Sequence, residues 1–457
     1  MNGTALDGLR DQLRGQLITP EDPEYDSARA VFNAMVDKRP AGIVRVAQVA
    51  DVIAGVNFAR ENSMPLAIRG GGHSAPGFGT ADDALVLDFV NRTGVRVDPE
   101  TATARAEGGT TWADFNHATH AFGLATTGGI VGSTGVAGLT LGGGIGYLAR
   151  KYGLSCDNLV SADVVTADGK FLVASEDQNE DLFWALRGGG GNFGVVTSFE
   201  FKLHPVDMVH AGVILYGAEH TDTVARFYRD YIANAPEEFG AFLGFHQGPP
   251  VPFLPEEWHG KPVCVVVGMW TGDLGEGEAR WQPFLDAAPV AGSLVAPMPY
   301  PALNVAFDAL NQKGMQGYWK ANFLPELNDG AIQAHAEHGA TVTSVNTAVH
   351  IYPIDGAVSR VGVHDTAFAH RDMKFAPVIA AQWMEPTDNE ANIAWARGYA
   401  AALAPHSALG GYINFMDAED QNRVTDNYGP NWDRLVQVKS KYDPGNLFHV
   451  NQNIKPA

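Results

Sequence analysis

The chain has 457 residues, a formal charge of −21 and two cysteines. That length exceeds what one ordinary core holds, so two domains are expected. The negative charge argues against a nucleic-acid or anionic-membrane partner, and Cys156 and Cys264 cannot build a disulfide framework. Residues 1–20 lack the apolar core of a signal peptide, which makes a cytoplasmic protein the expectation. Leu6, Leu9, Leu13 and Leu17 are spaced to share one face of a short amphipathic helix.

Val49, Val52, Ile53 and Val56 predict a helix within 46–60, and Leu66-Ala67-Ile68-Arg69 a strand running into Gly70-Gly71-Gly72-His73. Leu85 to Phe89 reads as a second strand; Trp112, Phe115 and Phe122 mark a helix that ends at Gly123. The uncharged stretch from Phe115 to Leu148 is too rich in glycine for a membrane helix. Val164 to Thr166 and Phe171 to Val173 flank Ala167-Asp168-Gly169, a hairpin turn. A helical turn at Asp181 to Arg187 stops at glycines, and Gly194 to Phe201 is again a strand.

Glycine density falls past His204-Pro205, which places a domain boundary there. Strand-like runs at Ala211 to Leu215, Val263 to Trp270 and Ser344 to Tyr352 then alternate with helical segments, an α+β pattern. Cys264 belongs to the apolar run Val263 to Val267 and reads as a buried strand residue. From Tyr412 the chain predicts a strand, then a helix carrying Leu435, Val438 and Tyr442. Its last residues, Asn451-Gln452-Asn453-Ile454, are polar enough to line a site.

Two glycine patterns formally match a dinucleotide fingerprint, Gly70-x-Gly72-x-x-Ala75 and Gly189-x-Gly191-x-x-Gly194. That fingerprint needs a helix N-terminus directly after the glycines. Pro76-Gly77 breaks the first, and the second runs into a strand. Backbone N–H groups from Arg69 to Ser74 can instead form an anion nest. Gly132-Ser133-Thr134-Gly135 and the glycines from Gly138 to Gly146 offer a second backbone surface for a large planar ligand; tight turns are the plainer reading. His73 is then a nucleophile at the edge of a ligand loop, and Cys156 a candidate second attachment point.

In this order, Arg-Gly-Gly-Gly-His73, Gly-Gly-Gly-Ile-Gly146, Gly-Leu-Ser-Cys156-Asp-Asn, Arg187-Gly-Gly-Gly-Gly-Asn-Phe-Gly194 and Lys441-Tyr-Asp-Pro-Gly-Asn446 are highly specific. Over essentially its full length the chain resembles the berberine-bridge-enzyme-like flavoproteins of the vanillyl-alcohol-oxidase superfamily. The resemblance implies an α+β, two-domain PCMH-type FAD-binding fold. Residues 1–207 would form the FAD-binding domain (core about 36–207), and 208–411 a substrate domain built on an antiparallel sheet flanked by helices. Residues 412–457 would return to the first domain.

It further implies FAD attached through the 8α-carbon to His73 and through flavin C6 to Cys156. Arg69, Gly70, Gly71, Gly72, Ser74, Gly132, Ser133, Gly135, Gly138, Gly142, Gly143, Gly146, Leu159, Gly194, Val196, Asn451 and Asn453 would complete the cofactor site. The implied reaction is hydride transfer from a small organic alcohol, of sugar or secondary-metabolite type, to flavin N5, while a protein base removes the O–H proton.

Two departures bear on that reaction. Many relatives carry Tyr-x-Asn-Tyr, with the second tyrosine as base, where this chain reads Tyr412-Ile413-Asn414-Phe415. Phe415 cannot ionise. Tyr412 and Asn414 remain as candidate catalytic residues, joined by His350 and Tyr352, which strand alternation puts on one face. The alternative is that these two are half-exposed sheet residues. Relatives that use O2 freely carry valine three residues after the flavinylated cysteine, whereas this chain has Leu159, so a dehydrogenase with another acceptor stands beside an oxidase.

Amine oxidation or oxidative ring closure is the second enzymatic reading, and a flavin-loaded binding protein without efficient turnover a third. His335-Ala336-Glu337-His338 places two histidines on one helical face without a third ligand, so no metal is expected. Trp270, Tyr318, Trp319 and Trp383 are either core or a stacking surface for a ring-shaped substrate. No motif specifies substrate or oligomeric state.

Overall fold

The structure, a computed structural model, describes residues 3–457. Four short strands open the fold: β1 (Gln16–Ile18), β2 (Gly42–Arg45), β3 (Leu66–Arg69) and β4 (Leu85–Asp88), in the order β1-β2-β4-β3. β3 and β2 both run parallel to β4, and β1 is antiparallel to β2. Parallel strands need a crossover, supplied here by the helix Val49–Glu61, whose Val52, Val56 and Ala59 face the sheet core. The Asp51 carboxylate caps this helix and also accepts the N–H groups of Arg14 and Gly15, tying in the chain before β1.

Next come β5 (Val95–Asp98), β6 (Thr103–Glu107), the two-residue β7 (Leu124–Ala125), β8 (Leu159–Val165), β9 (Phe171–Ser175), β10 (Val195–Lys202) and β11 (His204–Pro205). Five of them form an antiparallel sheet in the order β5-β6-β10-β8-β9, while β7 pairs with β11. The hairpin β8–β9 turns through Gly169 at φ +79°, with Val165 opposite Phe171.

The remaining strands are β12 (Met208–Gly217), β13 (Phe239–Gln247), β14 (Pro262–Trp270), β15 (Val290–Pro299), β16 (Gln316–Ala321), β17 (Ala348–Pro353) and β18 (Phe375–Trp383). They form one antiparallel sheet, ordered β15-β12-β14-β13-β17-β18-β16. Helices Thr221–Ile232, Gly277–Leu285, Asp329–Gly339 and Asn389–Leu403 pack their apolar sides on one face of this sheet. Val349 and Ile351 point into that helical core; the intervening His350 and Tyr352 point to the other face. That second face looks onto the glycine-rich segments of the first half, and a cavity lies between them.

The C-terminal helix Trp432–Tyr442 packs Leu435 and Val438 against the core of the five-stranded sheet. Its Lys439 is fully buried, and its ammonium donates to the carbonyls of Asn192 (2.8 Å) and Phe448 (2.8 Å) and to Asp443 (2.7 Å). All three ammonium protons are used, so the buried charge is satisfied. The contact fastens the tail to the glycine loop 188–192.

Three predicted elements differ. The N-terminal helix is Gly3–Arg10, so Leu13 follows it and Leu17 lies on β1, which pairs with β2 and buries Leu17 there. The helix Trp112–His120 stops before Phe122, whose ring is exposed at the turn. Tyr412 does not begin a strand: Ile413–Phe415 is a single 3₁₀ turn, and the Tyr412 hydroxyl and Asn414 amide bond to the segment 139–145 instead of a ladder partner. No helix among the described residues is long and apolar enough to cross a membrane.

Candidate functional site

The cavity between the sheets has a volume of about 330 Å³. One wall is backbone: Arg69 to Ser74, Gly129 to Val131, Gly135, Gly138, Gly190 to Asn192, Gly194 and Val196, with Asn451 and Gln452 from the tail. The other is the face of the seven-stranded sheet: His246, Trp319, Ala348, His350, Tyr352, Val378 and Ala380, closed by Tyr412, Asn414 and Phe415.

The glycine wall follows from strand register. Arg69 and Asp88 are paired neighbours on β3 and β4, and the buried guanidinium donates to Asp88 (2.7 Å) and to the Ala28 carbonyl (2.6 Å). This anchors the start of the loop 70–74. There the loop meets the segment 132–135 backbone to backbone: a Cβ on Gly71 would run into Gly135, and one on Gly135 into Gly71. Only glycine allows that approach. By contrast a Cβ on Gly138 or Gly191 would meet nothing within 4 Å, so both face open space in the cavity.

His73 stands on this wall. Its Nε2 shares a 3.0 Å hydrogen bond with the Ser133 hydroxyl, and its ring stacks on Phe32 at 4.0 Å. Burial pushes the imidazole down to about 4, so it is neutral, the nucleophilic form, at ordinary pH. Cys156 lies behind the wall, fully buried in the 3₁₀ turn Ser155–Asn158. Its N–H donates to the Gly143 carbonyl (2.8 Å) and its thiol to Asp157 (3.6 Å), a carboxylate held in turn by Arg371 at 2.6 and 2.8 Å. Burial pushes the Cys156 thiol well above its ordinary value.

Gly142, Gly143, Gly146, Leu159 and Asn453 also sit behind the cavity surface; Ser133 borders the adjoining cleft around His73, and the Gly132 N–H donates to Asp308, which lines the same cleft (2.7 Å). Gly146 passes so close to Gly128 that no side chain fits, and Leu159 packs in the core of the five-stranded sheet.

Across the cavity, His350 and Tyr352 are buried, at 6% and 5% exposure, rather than half-exposed. They share a 2.8 Å hydrogen bond between His350 Nδ1 and the phenol oxygen. The other ring nitrogen, Nε2, is 2.9 Å from Nε2 of His246 on β13. Burial drives the His350 imidazole well down and the Tyr352 phenol up, so both are neutral. Tyr412 has its hydroxyl taken up as acceptor for Gly144 N–H (2.8 Å), Ile145 N–H (3.3 Å) and the Asn414 amide (2.8 Å). Asn414 also donates to the Leu139 carbonyl (2.9 Å). The Phe415 ring lies edge-on to Trp319 and Tyr412 and stacks loosely on Tyr352.

A profile described as an FAD binding domain matches residues 40–175, and one described as berberine and berberine like matches residues 411–455. The FAD-linked oxidoreductase YgaK of Bacillus subtilis is 30% identical over 454 residues, covering 98% of both chains. The chain belongs to the berberine-like family of FAD-linked oxidoreductases. The (R)-6-hydroxynicotine oxidase of Paenarthrobacter nicotinovorans is 30% identical over 97% of each chain. A solved structure of glucooligosaccharide oxidase from Acremonium strictum, described with a 6-S-cysteinyl, 8α-N1-histidyl FAD, superposes with a TM-score of 0.85 at 23% identity, covering all of both chains.

The berberine-like chain thus has the α+β, PCMH-type architecture of its relatives, and its wall fits FAD. Gly138 and Gly191 leave room for a large ligand, and the side-chain oxygens of Asn451 and Asn453 and the amide nitrogen of Gln452 are buried without partners. Such atoms suit a ligand edge rich in donors and acceptors.

Sequence reasoning missed His246 and Phe32, whereas Gln452 belongs to the polar tail expected to line a site. Only the period-two pattern of β13 carries any signal for His246, and nothing local distinguishes it from a surface histidine. Of the aromatic residues singled out, Trp319 lines the cavity, while Trp270, Tyr318 and Trp383 are core. His335 is buried, with Nδ1 bonded to the Tyr399 hydroxyl at 2.7 Å.

Proposed function

We propose that this oxidoreductase carries FAD attached at His73 through the 8α-carbon and at Cys156 through flavin C6, and that it oxidises a small, neutral organic alcohol. When bound, FAD supplies the hydride acceptor at N5. The observation that carries the reading is the hydrogen-bonded His350–Tyr352 pair, placed across one cavity from the glycine wall that bears His73. The neutral His73 imidazole and the double attachment named for the glucooligosaccharide oxidase support the linkage.

Tyr352 takes the hydroxyl proton as His350 accepts the phenol's own, which supplies the base that Phe415 cannot. Trp319 and Phe415 flank the substrate, and the scarcity of charge on that wall favours an apolar, ring-containing compound of secondary-metabolite type over a sugar. Tyr412 and Asn414 hold the glycine segment and shape the floor of the site. Leu159, packed into the core beyond Cys156, favours an acceptor other than O2.

Amine oxidation is the second reading, favoured by the 30% identity to (R)-6-hydroxynicotine oxidase across nearly the whole chain. A neutral amine needs no base. Anaerobic bleaching of the flavin by a panel of alcohols and amines tests both: Tyr352→Phe slows bleaching by alcohols about 10²-fold or more and leaves amines unaffected. No bleaching by any compound sinks both in favour of a binding protein. A colourless acid precipitate, with all flavin in the supernatant, overturns the covalent linkage.

A further inference from the structure

His246 has no part in the reaction as derived so far. It sits on β13, beside β17 in the sheet, and its side chain is buried on the cavity wall. His246 Nε2 faces His350 Nε2 at 2.9 Å, and His350 Nδ1 faces the Tyr352 hydroxyl at 2.8 Å. The three side chains therefore form one unbroken chain of hydrogen bonds, assembled from residues 104 positions apart.

Two neutral imidazoles that meet nitrogen to nitrogen must hold complementary tautomers, one donating and one accepting. When the Tyr352 O–H donates to His350 Nδ1, His350 carries its proton on Nε2 and donates to His246 Nε2. His246 then carries its own on Nδ1, which has no protein partner among the described residues.

We propose that His246 is the outlet of a proton relay running from Tyr352 through His350 to the water of the cavity. The proposal rests on Tyr352 as acceptor of the substrate's hydroxyl proton. The balance is simple. The substrate C–H bond breaks and its electron pair leaves as hydride for flavin N5, which is reduced as the alcohol becomes a carbonyl. The hydroxyl proton goes to Tyr352, the phenol proton to His350 Nδ1, the His350 Nε2 proton to His246 Nε2, and the His246 Nδ1 proton to water. Both imidazoles are neutral before and after, with exchanged tautomers.

The surroundings suit this exchange. The titratable groups around the chain are themselves neutral: Tyr147 from the glycine segment and Tyr412 from the tail bear on Tyr352, and His246 and His350 bear on each other. Among the described residues no carboxylate or ammonium bears on His246, and burial holds its imidazole down to about 4. An imidazolium is therefore not stored, and a proton entering at one end must leave at the other.

Anaerobic stopped-flow bleaching of the flavin-loaded enzyme by the fastest alcohol of the panel, in H2O and D2O from pH 5 to 9, tests the relay. In the wild type a curved proton inventory is expected, because several protons move together. His246→Gln keeps a hydrogen bond to His350 but cannot pass a proton from one ring atom to another. It should slow alcohol bleaching roughly 10- to 100-fold, straighten the curved proton inventory and slow bleaching by amines far less. In His246→Ala, added imidazole should restore at least part of the rate.

A linear, one-proton inventory in the wild type overturns the relay whether or not either variant folds. So does a His246→Gln enzyme with wild-type rate and proton inventory, and in that case Tyr352 as base survives if Tyr352→Phe is still slow. A wild type that no alcohol bleaches removes the base and the relay together.

Discussion

Tyr412 and Gly144, 268 residues apart, are joined by a 2.8 Å hydrogen bond in which the glycine N–H donates to the phenol oxygen. Gly144 has φ +92° and Gly143 φ +123°: the Gly143 N–H still closes the preceding helix on the Thr140 carbonyl, and the path then turns the N–H groups of Gly144 and Ile145 toward the tail. The tail residue thus substitutes for secondary structure at the segment that covers Cys156. Tyr412→Phe leaves a buried N–H without its acceptor and should cost about 1–3 kcal/mol, read as a lower Tm. Because burial raises the Tyr412 phenol to about 12, the variant should not move the pH profile of oxidation near neutrality.

Gly138 separates cofactor space from folding. Its missing Cβ faces open cavity, so Gly138→Leu should fold with unchanged or slightly raised stability, because glycine in a helix is disfavoured by roughly 0.5–1 kcal/mol relative to alanine. The same side chain would occupy the ligand wall. The expected result is a normal Tm for flavin-free protein and a sharply reduced flavin-to-protein absorbance ratio.

Lys439 tests the tail's attachment. Lys439→Met removes the only positive partner of Asp443 among the described residues and takes from the carbonyls of Asn192 and Phe448 their ammonium donor. Breaking a buried ion pair from one side costs about 3–5 kcal/mol. Chemical denaturation should show a loss of that size, and Lys439→Met with Asp443→Leu should recover part of it.

The two proposed attachments should respond to pH in opposite ways. His73 is neutral at any pH above about 4, so attachment at His73 should keep its rate from pH 5.5 to 8. Cys156, with its thiol pushed up by burial, gains thiolate about tenfold per pH unit, so its attachment should accelerate as pH rises. Mass spectrometry of flavin-loaded His73→Ala and Cys156→Ala proteins over a pH series separates the two rates. The same depressed His73 value has a stability sign: the unfolded imidazole binds a proton near its ordinary 6.5, the folded one only near 4. Stability should therefore fall as pH drops from 6.5 toward 4, and His73→Asn should flatten that slope in thermal melts of flavin-free protein.

Much of the local architecture is legible in the chain. The strand Leu66 to Arg69, the helix beginning at Val49 and the hairpin at Asp168-Gly169 all appear where spacing and turn chemistry place them. The misread elements are those whose partners are distant. Leu17 continues a helical spacing yet pairs with Val44 across a sheet, and Tyr412-Ile413-Asn414 looks extended but bends to meet Gly144 and Leu139.

The sequence by itself determined the family and the FAD-linked chemistry, because glycine runs, nucleophiles and turns act through adjacent atoms. Tertiary structure alone decided which groups face that wall. His246 and His350 meet only because antiparallel pairing sets Gly244 opposite His350 on neighbouring strands. A one-residue slip of either strand would turn its own histidine into the helical core and separate the two rings. Register is a long-range property, set by the packing of four helices on the far side of the sheet. No local pattern around His246 could have announced it.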